Sequence, residues 1–182
     1  DDIAFLNAVG IKVVLVHGGG KAISKAIKAS GHEPKFVDGL RVTDEMTMEI
    51  VRKTLNNVVN PDIVQRLVNR GANAKPLHGN WLFGAKKISS PDRGYVGEVG
   101  SVVTRSLTEM LDASIVPVVT PLGTGVGDAH LYNINADVSF ILESRVHRAP
   151  PLQTVSLTAS IKASVLFFTD QGITYSKPPF FV

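Results

Sequence analysis

Cysteine is absent from the sequence, which removes a disulfide framework and a thiolate metal site together and fits a reducing compartment. The histidines offer no substitute, because His32, His78, His130 and His147 show no metal-ligand spacing, and no metal site is expected. No segment has the length and apolarity of a membrane span, and Asp1-Asp2 opens nothing like a signal peptide. Although the formal net charge is +3, the basic residues are scattered and form no block, which disfavours nucleic acid as a partner. Internal repeats and low-complexity linkers are missing too. With 182 residues, 44% apolar and 19% charged, the chain can bury a core as one domain or a little more. The expectation is a cytoplasmic globular protein with neither membrane nor nucleic-acid partners.

What is present is an alternation of strand and helix patterns. Lys12 to Val16 is a β-branched run suited to a buried parallel strand. From Lys21 onward Ile23, Ala26 and Ile27 share one helical face, opposite a solvated face of Lys21, Lys25 and Lys28, and Gly31 stops the helix. Residues Glu33 to Thr43 read as a hairpin about Asp38-Gly39. Thr43-Asp44-Glu45 then caps a helix predicted to run to about Val59, and Asn60-Pro61-Asp62 reads as the start of the next, closed by Gly71. A β-rich tract from Ala74 to Val103 follows, with Trp81, Phe83 and Tyr95 as hairpin packing residues. Ser106 to Ser114 suggests a short helix before the strand Ile115 to Thr120. Further helix, a break at Pro150-Pro151, and the strand Val165 to Thr169 complete the pattern. The predicted fold is α/β, a three-layer sandwich about a mainly parallel central sheet, whose ligands bind beyond the carboxyl ends of the strands.

That rule directs attention to Val13–Lys21, VVLVHGGGK, where an aliphatic strand meets three consecutive glycines and then a helix. Free backbone N–H groups and the positive end of a helix dipole converge there, a setting for phosphate or carboxylate. A tight strand-to-helix turn is the plainer reading of any single glycine; three in succession favour an anion site. His17 reads as hydrogen-bonded scaffold. Neither common phosphate motif fits: a dinucleotide fingerprint counted from Gly18 meets Ile23 at its third glycine, and a Walker loop ending Gly20-Lys21 has Ala22 in place of serine or threonine.

Four motifs in order resemble those of acetylglutamate kinases in the amino acid kinase superfamily. They are His17-Gly18-Gly19-Gly20, Gly39-Leu40-Arg41-Val42-Thr43-Asp44, Gly94-Tyr95-Val96-Gly97-Glu98-Val99 and Tyr132-Asn133-Ile134-Asn135-Ala136-Asp137. The resemblance covers roughly residues 1 to 137. It implies transfer of the γ-phosphoryl of ATP, with Mg²⁺, to the side-chain carboxylate of N-acetyl-L-glutamate in arginine biosynthesis, by a homo-oligomer (dimer or higher). By the same resemblance Gly19 and Gly20 would present amides to the accepting carboxylate and the travelling phosphoryl. Arg41 and Asn133 would hold the substrate's α-carboxylate, Asp137 would organise catalytic lysines, and Thr169 and Asp170 would contact nucleotide. Residues 1–140 would then form the acetylglutamate-binding lobe and 141–182 an incomplete nucleotide-binding lobe.

The resemblance also implies two departures. Family members open on a strand bearing Lys-x-Gly-Gly and carry a second lysine in the later nucleotide-binding half, and neither lysine occurs at a matching position here. Without the opening strand, Val13 to Val16 are expected to leave apolar surface uncovered. Two further readings stay open: a non-catalytic regulatory domain that binds arginine, and a degenerate module that only dimerises.

Overall fold

The computed structural model describes residues 1–89 and 93–134, together with the backbone of strands Ser164–Thr169 and Gly172–Tyr175. Helix α1 (Asp2–Ala8) leads into β1 (Val13–His17), the glycine triplet and α2 (Gly20–Ala29). After the short pair β2 (Phe36–Val37) and β3 (Leu40–Arg41) come α3 (Glu45–Thr54), a π-helical turn (Leu55–Val59) and α4 (Asn60–Val68). Next are β4 (Ala74–Leu77), β5 (Phe83–Lys87), β6 (Val96–Val102) and α5 (Arg105–Asp112). The remaining strands are β7 (Val116–Val119), β8 (Leu122–Gly125), β9 (Leu131–Ile134), β10 (Ser164–Thr169) and β11 (Gly172–Tyr175). The helical stretches and proline break expected between Asp137 and Val165 lie outside the described residues.

The central sheet has the order β11-β10-β1-β7-β4, parallel throughout except that β11 runs antiparallel to β10. Strand β1 is buried on both faces, which explains its unbroken aliphatic run. Its side chains alternate in destination as the pleat requires. Val14 and Val16 join Leu107, Val119 and Ile134, whereas Val13 and Leu15 join Ile3, Leu67 and Val118. Helices α1 and α4 therefore cover one face, and α5 with a small closed barrel of β5, β6, β9 and β8 covers the other. This is the expected three-layer sandwich.

Three expectations need correction here. Val13 to Val16 expose no apolar edge, because β1 pairs with β7 on one side and with β10 on the other, in register from Val13↔Ser164 to His17↔Phe168. Asn60 is not a helix cap: its backbone is helical (φ −61°, ψ −48°), and α3, the π turn and α4 follow one another without a break. Proline inside a helix lacks an N–H and crowds the carbonyl four residues earlier. The wider π turn immediately before Pro61 accommodates both defects, so the chain continues where the dipeptide suggested a restart. Trp81 also departs from its expected packing role, being 67% exposed on a 3₁₀ turn, while Phe83 is buried as foreseen.

The Asp38-Gly39 hairpin forms as predicted, with φ +49° and +77° at the two turn residues and Phe36↔Arg41 and Val37↔Leu40 as its pairs. Its function in the fold is to carry Arg41 back toward α2.

Candidate anion site at the glycine triplet

The site grows from the end of β1. Gly19 occupies the cap position of α2 and, being glycine, provides no side-chain cap to the first-turn amides. Among the described residues neither the Gly19 nor the Gly20 amide donates to a backbone acceptor. Gly19 is required by space as well. A Cβ there would stand 2.7 Å from Leu55 Cδ2, a side chain fully buried in the packing of α2 on α3.

Arg41 reaches this helix from β3. Its Nη2 donates to Gly20 O at 3.2 Å and to Ser24 Oγ at 2.9 Å, and its guanidinium carbon lies 4.7 Å from the centre of the Phe36 ring. The residue is only 7% exposed, yet among the described residues its Nη1 is buried with no hydrogen-bond partner. Burial draws the Arg41 pKa below its ordinary value, and a guanidinium remains a cation in proteins. Among the described residues no carboxylate pairs with it. A buried cation with an unused donor at a helix N-terminus is complementary to an anion.

Backbone hydrogen bonds join the remaining motifs to this centre. Tyr95 N donates to Thr43 O at 2.6 Å, and Thr43 N donates to Arg93 O at 3.0 Å. Asn133 N donates to Tyr95 O at 3.0 Å, so main-chain groups link the second, third and fourth motifs in series. Gly94 (φ +66°) permits that junction, since a Cβ there would meet the Thr43 carbonyl oxygen at 2.2 Å. Asn133 is half-buried on β9, opposite Leu122. Leu131, two residues earlier and on the same face, packs against the cluster of α2 and α3 residues, so Asn133 shares the face turned toward those helices.

Thr169 ends β10 one residue beyond the Phe168↔His17 pair, which puts it at the same sheet edge as the triplet. Asp137 and Asp170 lie outside the described residues. A cleft of about 740 Å³ opens beside the triplet on the α4 side, walled by Gly18, Gly19, Lys21, Val59, Ile63 and Arg66. Arg41 and Asn133 do not line it, so the convergence of the motifs and this cleft lie on different flanks of the triplet.

Sequence reasoning missed Ser24 and Asn60. Ser24 falls four residues after Gly20, one helical turn along the face that meets Arg41. Asn60 is wholly buried; its Nδ2 donates to Val118 O at 2.8 Å and lies 3.0 Å from His17 Nε2. Met48, Val51 and Leu55 mark the inward stripe of α3, and the extra residue of the π turn brings Asn60 onto that stripe while Val58 is left 60% exposed. A π turn is not legible in a periodicity, so the signal was hidden.

Residues 1–145 match the sequence profile of the amino acid kinase family. The chain belongs to that family. Among curated amino acid kinases, it is 43% identical over 137 residues to the acetylglutamate kinase of Actinobacillus pleuropneumoniae serotype 5b, covering 75% of this chain and 48% of that one. It is 39% identical over 145 residues to the acetylglutamate kinase of Akkermansia muciniphila, covering 76% and 49% respectively. The chain thus spans about half the length of these curated relatives. A crystal structure of a protein from Streptococcus mutans UA159 shares the fold, with a TM-score of 0.75 and 28% identity over 80% of this chain and 60% of its own.

Proposed function

We propose that this chain supplies the acetylglutamate-binding part of an ATP-dependent acetylglutamate kinase, in which the side-chain carboxylate of N-acetyl-L-glutamate is phosphorylated on the route to arginine. The observation that carries the reading is Arg41, a buried guanidinium with one donor unused beside the glycine amides. Its Nη1, with Asn133, would bind the α-carboxylate. The Gly19 and Gly20 amides would face the reacting end.

In the reaction a carboxylate oxygen attacks the γ-phosphorus of ATP, the bond to the bridging oxygen breaks, and ADP leaves with the electron pair. No proton has to be removed from the nucleophile, so the chain needs positioned donors and no general base. Backbone amides that hold the carboxylate and then the transferring phosphoryl meet that need without moving. Asp137 fits the role of an organiser of catalytic lysines, and Thr169 and Asp170 that of nucleotide contacts. ATP enters as its magnesium chelate, and among the described residues no cluster of acids and histidines could hold a separate metal ion. Residues 1–140 serve acetylglutamate and 141–182 belong to the nucleotide lobe, within a homo-oligomer.

Calorimetric titration of the chain with N-acetyl-L-glutamate tests the binding half of this reading, and L-arginine is the contrasting titrant. Saturable binding of acetylglutamate that is lost in Arg41→Ala supports it. Binding of arginine alone would instead support a regulatory domain, and binding of neither would overturn the assignment.

A further inference from the structure

Beneath the glycine triplet lies a buried polar network that the phosphoryl-transfer scheme does not use. His17 is fully buried at the end of β1, and its Nδ1 lies 2.8 Å from Gly18 O. A carbonyl oxygen only accepts, so Nδ1 carries the proton. Asn60 Nδ2 lies 2.8 Å from Val118 O, which likewise only accepts, so the amide is oriented with its NH₂ toward β7. The second proton of that NH₂ then points at His17 Nε2, 3.0 Å away, which must be the bare, accepting nitrogen. Two acceptor-only carbonyls thereby define one tautomer of the ring and one orientation of the amide.

We infer that Asn60 and His17 are positioning residues that aim the Gly19 amide into the anion site. The link is the planarity of the peptide joining Gly18 to Gly19. In a trans peptide the C=O and the following N–H point in opposite directions, and no cis peptide occurs among the described residues. Fixing Gly18 O against the imidazole therefore fixes Gly19 N–H on the opposite side, away from the ring. The three glycines give the loop its freedom, and the ring removes it at one peptide. Asn60 in turn holds the ring from α4 and ties it to β7.

Among the described residues the Asn60 Oδ1 is buried without a partner, while its NH₂ is the donor that His17 Nε2 and the Val118 carbonyl accept. Burial, opposed only by the Gly18 hydrogen bond, also keeps the His17 pKa below the ordinary histidine value, in keeping with a neutral ring.

The inference rests on the proposed acetylglutamate site for its functional consequence, so its test reads the ligand-free chain as well. In the ¹⁵N-labelled 182-residue protein, the His17 ring should show the Nδ1–H tautomer. In Asn60→Leu, which keeps the volume and removes both donors, the ligand-free Gly19 amide resonance should move. Acetylglutamate affinity should fall roughly tenfold, the scale of one misdirected bond to a charged group, and the melting temperature should fall too, because His17 Nε2 and the Val118 carbonyl lose their buried donor. If wild-type protein fails to bind acetylglutamate, the functional proposal fails, while the Gly19 resonance still decides the positioning role. An unmoved Gly19 resonance in folded Asn60→Leu would overturn it. Should that variant not fold, the wild-type ring decides: a proton on Nε2 overturns the inference, and a proton on Nδ1 upholds it.

Discussion

Arg41 is anchored to Ser24, its Nη2 donating to the hydroxyl at 2.9 Å, and this one bond fixes which edge of the guanidinium remains free. Nη2 is engaged with α2, and Nη1, buried without a partner among the described residues, is the donor proposed for the substrate carboxylate. Arg41→Ala should therefore weaken acetylglutamate binding by about 1.5 to 3 kcal/mol, the range for hydrogen bonds to charged groups. Arg41→Lys should recover only part of that, because an ammonium cannot bridge Ser24 and a carboxylate with a planar fork. Ser24→Ala should give a smaller loss. Equal affinities for all four proteins by calorimetry would remove Arg41 from the site.

The contact between Gly19 and Leu55 makes a separate prediction about stability. Gly19→Ala should destabilise the fold by about 1 to 3 kcal/mol, the usual range for overpacking, because the added methyl has no room beside a fully buried leucine. Leu55→Ala destabilises as well, by opening a cavity. The double variant should nevertheless be more stable than the sum of the two losses, since each change relieves the defect of the other. Simple additivity in urea melts would show that the methyl is accommodated elsewhere.

Asp44 caps α3 by accepting the Thr47 amide at 2.7 Å, and hydrogen bonding from the Thr47 side chain and then from that amide draws its carboxyl pKa below the usual value. Asp44→Ala should cost about 1 kcal/mol. A carboxyl with a depressed folded pKa adds stability that is present above its unfolded pKa and is lost as pH falls through the folded one. The gap between wild type and variant should thus be full at neutral pH and close in acid. A gap independent of pH would assign the loss to something other than the ionised cap.

At the alkaline end Tyr132 is the residue to watch. It is 2% exposed and donates to Asp128 Oδ2 at 2.6 Å; burial, and then the neighbouring carboxylate, push its pKa up to about 12. A raised folded pKa means stability that is present below the unfolded value near 10 and is lost as pH rises toward 12. Tyr132→Phe should lose about 1 kcal/mol at neutral pH and show a shallower decline in alkaline melts. An identical alkaline slope in both proteins would refute the assignment.

Much of the fold is legible in local chemistry. The aliphatic run of β1, the Asp38-Gly39 turn and the Asp44 cap each follow from preferences of a few residues. The glycine triplet could be singled out by residue type and Arg41 through the family resemblance, and the structure brings Arg41 against the first turn of α2. What escaped was non-local. Pro61 looks like a helix start because the sequence does not reveal the π turn that makes room for it, and Asn60 then passes for a cap. The closed β5-β6-β9-β8 barrel depends on parallel pairings between distant strands, which no alternation of apolar residues encodes.

The bonds that place Arg41, Tyr95 and Asn133 relative to one another are largely made by peptide groups, Thr43 to Tyr95 and Tyr95 to Asn133. Every residue except proline brings the same N–H and C=O to such a lattice. Shape and chemistry are thereby separable at this proposed site. The side chains that choose a ligand can be exchanged while the scaffold that spaces them persists, so one arrangement of main chain can be fitted out for different small anions.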